Sequence, residues 1–186
     1  MGDRRSRYTK MVVKESLLAL MADKPINKIT IKEICEKADI NRGTFYHYYQ
    51  DQFDLLKQVQ DEFANEVKEL LEKRQTKVLD TVEMITQLIS YFVEQRSLCK
   101  ILFSTSGNYE LINRLTQNAY EGFLANWRQQ MGSLSDRQLE MLFEFISNGA
   151  AAIIHNWTMN DMQEPPREVA EFIVQATNRG SLSFVE

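Results

Sequence analysis

The residues from Thr30 to Leu56 constrain the fold more than any other stretch of this 186-residue chain. They read TIKEICEKADINRGTFYHYYQDQFDLL. Thr30 followed by Glu33 is a capping box, which predicts that a helix starts at this point. Asn41, after a break in the apolar spacing, is a favoured N-cap for a second helix. Two short helices joined by a turn of about three or four residues are typical of a helix-turn-helix, whose second helix lies in the DNA major groove.

The second of these helices, Arg42 to Tyr49, is rich in groups that form hydrogen bonds. It holds three tyrosines, one histidine, one threonine and one arginine among eight residues, which is more than a buried helix needs. Phe45 and Tyr49 lie four positions apart and are predicted to face the core. A merely solvated polar face is the alternative interpretation, and the aromatic side chains of this short helix disfavour it.

On the DNA interpretation, the polar face of this helix meets the duplex. Arg42 can make a bidentate contact to guanine, and His47 can donate to or accept from a base edge. Tyrosine and threonine hydroxyls suit phosphate oxygens, and Gly43 lets the start of the helix approach the duplex closely. The predicted DNA-binding residues are Thr30, Arg42, Gly43, Thr44, Tyr46, His47, Tyr48 and Gln52.

The same stretch closely resembles the DNA-binding domain of TetR-family bacterial transcriptional regulators. That family shows a threonine, a short helix ending in an alanine or glycine turn, a Gly-Thr-aromatic-Tyr recognition helix, and a Leu-Leu pair. The matching residues are Thr30, Ile34, Ala38, Ile40, Gly43, Thr44, Phe45, Tyr46, Tyr48, Tyr49, Leu55 and Leu56. One position departs from the family pattern, because Gln52 stands where a lysine is usual. In this the chain is faintly similar to a divergent subgroup that includes regulators of dihydroxyacetone-utilisation operons.

The resemblance implies a function as well as a fold. It implies a homodimer that binds a palindromic operator in double-stranded DNA, most simply as a repressor, and that an unknown small-molecule effector releases. A cytoplasmic location is expected separately, because the sequence shows neither a membrane span nor a signal peptide. It implies neither a cofactor nor an enzymatic activity. Two alternatives stay open from the sequence: a co-activator or regulator controlled by a protein partner, and a helical small-molecule-binding protein without a DNA function.

The net charge of −4 conceals an asymmetry along the chain. Residues 1–57 carry 11 Lys and Arg against 8 Asp and Glu, a net of +3, and the remaining residues carry 11 against 18, a net of −7. A basic front on an acidic body is expected where one module contacts phosphates and the other does not. Chance clustering explains the same numbers about as well.

An all-α fold of about nine helices follows from the rest of the chain. The sequence contains only seven glycines and three prolines, and its apolar residues recur at helical spacing over long segments. The predicted domains are a helix-turn-helix DNA-binding domain at residues 1–50 and a helical effector-binding and dimerisation domain at residues 51–186. No apolar run approaches the ~20 residues of a membrane span, and no signal peptide is recognisable.

The helical body offers candidates for two further sites. A ligand cavity between helices is predicted to be lined by apolar and aromatic residues, namely Met84, Tyr91, Cys99, Phe103, Tyr120, Phe123, Trp127, Met141 and Phe145. The small, apolar segment around Gly149 predicts close helix packing, so the dimer interface is placed at Gly149, Ala150, Ile153, Ile154, Trp157, Phe172 and Ile173. Only two histidines are present, and no cluster has the spacing of metal ligands, so neither a catalytic nor a metal site is predicted.

Overall fold

A computed structural model shows a helical protein and describes residues 2–75, 81–104, 111–117 and 134–181. No strand occurs in these described ranges. The chain divides into two compact units, Met1–Phe63 and Ala64–Glu186. The predicted all-α fold is therefore confirmed. The division itself falls inside the fourth helix, whereas the sequence-based boundary was placed before that helix.

The first unit is built from three complete helices and the beginning of a fourth. Helix α1 spans Gly2–Met21, α2 spans Ile31–Lys37, α3 spans Arg42–Tyr48, and α4 begins at Gln52 and continues to Gln75. A single 3₁₀ turn, Ile26–Lys28, follows Pro25 and leads into α2. Helix α1 starts at Gly2, so Arg4, Arg5 and Arg7 belong to its first turns.

The core of the first unit draws residues from all four helices. Its side chains with 2% or less of their surface exposed are Val13, Leu17, Ile29, Ile34, Phe45, Leu55, Val59 and Phe63. The last three belong to the first turns of α4, which explains why these turns cluster with the helix-turn-helix. Burying each such side chain contributes on the order of 2 kcal/mol, and that burial fixes the position of α3.

Among the described residues, the second unit contains the remainder of α4 and five further helices. Helix α5 spans Thr81–Glu94, α6 spans Arg96–Ser104, α7 covers residues 111–117, α8 spans Asp136–Met159, and α9 spans Pro166–Ser181. A capping box starts α8, with the Ser135 hydroxyl accepting from the Gln138 N–H. A proline opens α9, because a proline fits the first turn of a helix. Within the described residues no helix is both long and apolar enough to cross a membrane.

The core of the second unit is centred on α5, α8 and α9. Ile89, Trp157 and Ile173 are buried in one cluster with Val169 and Ala170. The Trp157 indole N–H donates to the carbonyl oxygen of Glu164 at 3.1 Å, which joins α8 to the segment before α9.

The turn after α8 is held by ion pairs from α6. Asp161 and Met162 adopt positive φ angles of 66° and 47°. Arg96 approaches the Asp161 carboxylate at 3.0 Å, and Lys100 binds the same carboxylate. The hydrogen bonds from Lys100 and Arg96 lower the pKa of Asp161.

Candidate nucleic-acid interface

The turn between α2 and α3 is held by local hydrogen bonds. Asp39 adopts a φ of 52°, a left-handed conformation that aspartate tolerates better than most residues. The Ile40 N–H donates to the Cys35 carbonyl at 3.0 Å. Asn41 then caps α3, with its Oδ1 accepting from the Thr44 N–H at 2.8 Å, so the predicted N-cap is confirmed. These bonds fix the angle at which α3 leaves the turn.

The start of α2 shows the predicted capping box in full. The Thr30 hydroxyl accepts from the Glu33 N–H at 3.3 Å, and the Thr30 N–H donates to Glu33 Oε2 at 2.9 Å. Lys24 forms an ion pair with the other carboxylate oxygen. The hydrogen bond from Lys24, with those from Thr30, lowers the pKa of Glu33 to about 2. Ionised Glu33 therefore secures the start of α2.

The inner face of α3 carries the two residues predicted for the core. Phe45 is fully buried and Tyr49 is almost so, and their ring centroids lie 5.5 Å apart. Burial raises the pKa of the Tyr49 phenol to about 12. The predicted core positions of Phe45 and Tyr49 are therefore confirmed. The other side chains of α3 lie on the opposite side of the helix.

The outer face of α3 carries polar side chains. Arg42, Gly43 and His47 are exposed, and 56% of the Tyr46 surface is accessible. Thr44 and Tyr48 are half-buried. The Thr44 hydroxyl donates to the capping Asn41 Oδ1 at 3.1 Å. The Tyr48 ring lies 5.6 Å from Lys10 Nζ, which places a positive charge from α1 beside α3.

Half of the predicted DNA-binding residues share one surface depression of about 540 Å³. Thr30 from the start of α2, Arg42 and Tyr46 from α3, and Gln52 from α4 all line it. Asn27 and Lys32 line it too, although the sequence did not single them out. Lys32 could have been predicted from the sequence, because it lies two residues after Thr30, in the first turn of α2. The arrangement combines cationic, hydroxyl and amide groups, the set that binds phosphates and base edges.

Two family models match the chain. The model described as "Bacterial regulatory proteins, tetR family" matches residues 15–59, which include α2 and α3. The model described as "Transcriptional regulator C-terminal region" matches residues 80–179. The chain belongs to the TetR family. It is therefore a helix-turn-helix DNA-binding transcriptional regulator by family.

Individual relatives agree with this membership. HTH-type transcriptional regulator YxbF of Bacillus subtilis (strain 168) is 53% identical over 47 residues, which cover 25% of this chain but only 12% of YxbF. Two solved structures show the same fold. The dihydroxyacetone kinase operon activator DhaS is 18% identical, with a TM-score of 0.67 and coverage of 96% and 98% of the two chains. The FadR regulator of Bacillus subtilis, in complex with stearoyl-CoA, is 16% identical, with a TM-score of 0.70 and coverage of 90% and 96%.

The second unit of this TetR-family chain contains a cavity of about 170 Å³. Met84 and Phe103 line it, as the sequence predicted. Four other predicted residues lie elsewhere. Cys99 is fully buried in the core, and the Tyr91 hydroxyl donates to the Glu66 carboxylate. Burial and that carboxylate raise the pKa of Tyr91.

Met141 and Phe145 depart further from their predicted place in the cavity wall. They are 55% and 78% exposed, on the side of α8 that points away from the core of the unit. Helical spacing shows that residues share a face, but it does not show what that face meets. The remaining three predicted lining residues, Tyr120, Phe123 and Trp127, lie outside the described residues.

The residues predicted for the dimer interface fall into three groups. Trp157 and Ile173 are buried in the core of the unit, and Ile153 packs against that core. Ala150 and Ile154 also pack there and line the cavity. Gly149 and Phe172 are exposed, with 61% of the Phe172 surface accessible. Contacts inside one chain therefore account for most of the apolar residues of this segment.

Proposed function

We propose that this TetR-family regulator binds a palindromic operator as a homodimer and represses transcription until a small-molecule effector releases it. The observation that carries the DNA part is the outer face of α3, where Arg42 and Tyr46 share one depression with Thr30. A rigid, buried inner face holds these groups, since Phe45 and Tyr49 anchor the helix from behind.

Within this face we assign separate roles to base reading and phosphate contact. Arg42 and His47 are exposed at the start and middle of α3 and are the candidates for base edges. Tyr46 and Tyr48 are the candidates for phosphates, and Lys10 adds charge beside Tyr48. Thr30 already donates its hydroxyl hydrogen to Glu33 Oε2 at 2.9 Å, so a phosphate contact from Thr30 has to replace that bond.

The test of this assignment is the ratio of operator to random-duplex affinity at one fixed salt concentration, with the operator first selected from random duplexes. Arg42→Ala should cost about 1–3 kcal/mol per half-site on the operator and much less on random DNA. Tyr48→Phe removes only a hydroxyl group and should weaken binding to both DNAs by a similar factor. The matched control is Lys37→Ala, which removes a cation from an exposed position of α2.

Two results would contradict the DNA assignment. One is an unchanged ratio for Arg42→Ala together with a collapsed ratio for Tyr48→Phe, which would reverse the two roles. The other is wild-type binding that does not weaken with salt, because phosphate contacts release counterions and make affinity depend steeply on salt concentration.

The dimer part of the proposal is supported by an exposed apolar stripe on α8 and α9. Met141, Phe145 and Gly149 recur every four residues on the exposed side of α8, and Phe172 is exposed on α9. Large apolar side chains that are exposed along one helix face in this way are typical of interaction sites. A two-fold axis would let the stripe pair with its own copy.

Sedimentation at micromolar concentration tests the dimer. Wild type should sediment as a dimer, and Phe145→Asp should raise the dimer dissociation constant at least about 100-fold because it buries an unpaired charge. The matched control is Val93→Asp on α5, another exposed apolar position. A monomeric wild type would refute the dimer, and a Phe145→Asp variant that sediments like wild type would refute this face.

Effector release is supported by the helix that both units share. Val67 and Leu71 of α4 line the cavity, and the same helix begins at Gln52, in the depression beside α3. A ligand that shifts the second half of α4 acts on a helix that continues into the DNA-binding unit. In vitro transcription from a promoter that overlaps the selected operator tests the sign of regulation, since a repressor lowers transcript yield and an activator raises it.

A further inference from the structure

The cavity of the second unit restricts the chemistry of its ligand through its charge. Its lining comes from α4 to α9, and none of the described lining residues is an aspartate, glutamate, lysine or arginine. An ionised carboxylate or phosphate placed among them would lose its hydration and would find no lysine or arginine there to pair with, which is costly in an apolar site. The described lining consists of Val67, Leu71, Thr81, Met84, Ile85, Leu88, Phe92, Phe103, Ile112, Leu115, Thr116, Phe143, Ile146, Ser147, Ala150, Ala151, Ile154, His155, Ile173, Val174, Thr177 and Asn178.

Two hydroxyl groups of the wall, those of Thr116 and Ser147, restrict the ligand in a second way. The Thr116 hydroxyl donates its hydrogen to the carbonyls of Ile112 and Asn113, at 3.1 and 2.9 Å. The Ser147 hydroxyl lies 3.4 Å from the Glu144 carbonyl, to which it donates. A hydroxyl group that donates within its own helix still has lone pairs to accept with. These two groups therefore offer acceptors to a ligand, which suits a ligand with a neutral O–H donor.

The volume of the cavity sets the size of the ligand. A cavity of about 150 Å³ lined by aliphatic and aromatic side chains stays dry and binds benzene, and this one measures about 170 Å³. That space holds a single ring or a short chain. An 18-carbon acyl chain, such as the one in the complex of Bacillus subtilis FadR with stearoyl-CoA, would extend beyond that space.

We infer that the effector of this regulator is a neutral, mainly hydrocarbon molecule of about six to eight non-hydrogen atoms with one hydroxyl group, a short alcohol or a simple phenol. The inference deepens the proposed effector site and rests on that proposal for its regulatory meaning. The hydrocarbon part occupies the space between Met84, Phe103 and Ile154, and the hydroxyl group donates to Ser147 or Thr116.

Calorimetric titration of the full chain, without DNA, tests the chemical class. Hexan-1-ol and benzyl alcohol should bind, and the hexanoate and benzoate ions, which match them in size, should bind at least about tenfold more weakly. Along the series from propan-1-ol to nonan-1-ol, affinity should rise about fourfold per added methylene. The rise should stop near hexan-1-ol or heptan-1-ol, when the cavity is full.

Two adjacent alanines of α8 provide a matched pair for locating the site. Ala151 lines the cavity, and Ala152 is exposed. Ala151→Leu fills space that the ligand needs and should weaken benzyl alcohol binding at least about tenfold. Ala152→Leu adds the same side chain outside the cavity and should leave that affinity unchanged. If Ala151→Leu melts at a much lower temperature than wild type, Ser147→Leu tests the same wall from one turn earlier.

The outcomes separate this inference from the proposed function. Preference for hexanoate, tighter binding of stearoyl-CoA than of hexan-1-ol, equal affinities in wild type and Ala151→Leu, or no binding of any alcohol would each overturn the ligand class. None of these results depends on DNA binding or on sedimentation, which test the operator and the dimer independently. If the wild-type protein binds alcohols but binds no duplex DNA in the absence of ligand, the proposed function is overturned and the ligand class stays supported.

Discussion

The roles of the two faces of α3 can be tested separately by substituting two neighbouring aromatic residues. Phe45 is fully buried, whereas 56% of the adjacent Tyr46 is exposed. Phe45→Ala empties core volume and should destabilise the first unit by about 3–5 kcal/mol. Tyr46→Ala removes a side chain that already contacts water, and it should change stability by no more than about 0.5 kcal/mol.

Hydrogen exchange is the suitable assay because the chain has two units and a single global transition does not report on one of them. At about 1.4 kcal/mol per tenfold change, Phe45→Ala should lower the protection of α2 and α3 amides by a factor of about 100 to several thousand. Tyr46→Ala should lower it by a factor of about two or less. Peptides from α8 and α9 serve as the internal control, since both substitutions lie in the other unit.

DNA affinity should show the reverse order among variants that remain folded. Tyr46→Ala should weaken operator binding although the α2 and α3 amides of this variant keep normal protection from hydrogen exchange. Phe45→Leu keeps most of the buried volume, costs less than about 1.5 kcal/mol, and should retain binding. Equal loss of protection for Phe45→Ala and Tyr46→Ala, or intact operator binding by Tyr46→Ala, would refute the division of α3 into an anchoring and a contacting face.

Two further predictions follow from titratable groups. The pKa of Glu33 falls from 4.5 to about 2, so the stability that its ionised form gives the first unit is complete above about pH 4.5 and is lost as pH falls through about 2. In the Glu33→Gln variant, the amide protection of α2 and α3 should therefore decrease less as pH falls through that window. A decrease equal to that of wild type would contradict this role of Glu33. Burial raises the pKa of Cys99 to about 12 and also raises that of Cys35, so neither thiol should react with a disulfide reagent at pH 8 until denaturant is added. Rapid labelling of the native protein would contradict the burial of these two residues.

Local interactions explain why the helix-turn-helix could be predicted from sequence. Thr30 with Glu33, and Asn41 with Thr44, are pairs three residues apart, so the residues that make each cap can be recognised in the sequence itself. The same is true of Ser135 with Gln138. The anchoring of α3 was predictable because Phe45 and Tyr49 lie one turn apart in a helix whose other residues are polar. The depression was predictable only in part, because Asn27 joins it through a turn whose geometry no spacing rule specifies.

The cavity wall was harder to predict because its members meet across the fold. Tyr91 has the aromatic character expected of a lining residue, but its hydroxyl donates to Glu66, which lies 25 residues earlier in the chain. Cys99 is fully buried in the core and does not line the cavity. Whether an apolar residue of α5 or α6 contacts the core or the cavity depends on where the other helices leave space, and helical periodicity carries no information about that.

Helix α8 shows this limit most clearly, because its apolar residues lie in three different surroundings. Leu139, Phe143 and Trp157 are buried in core clusters, Ala151 lines the cavity, and Phe145 is exposed. Each residue advances about 100° around a helix axis, so adjacent positions such as Ala151 and Ala152 point in clearly different directions. A helix that is apolar all round predicts contact on every side without identifying each contact. Since the directions are distinct, substitutions at Ala151 and Phe145 should have separable effects, the first on ligand affinity and the second on association between chains.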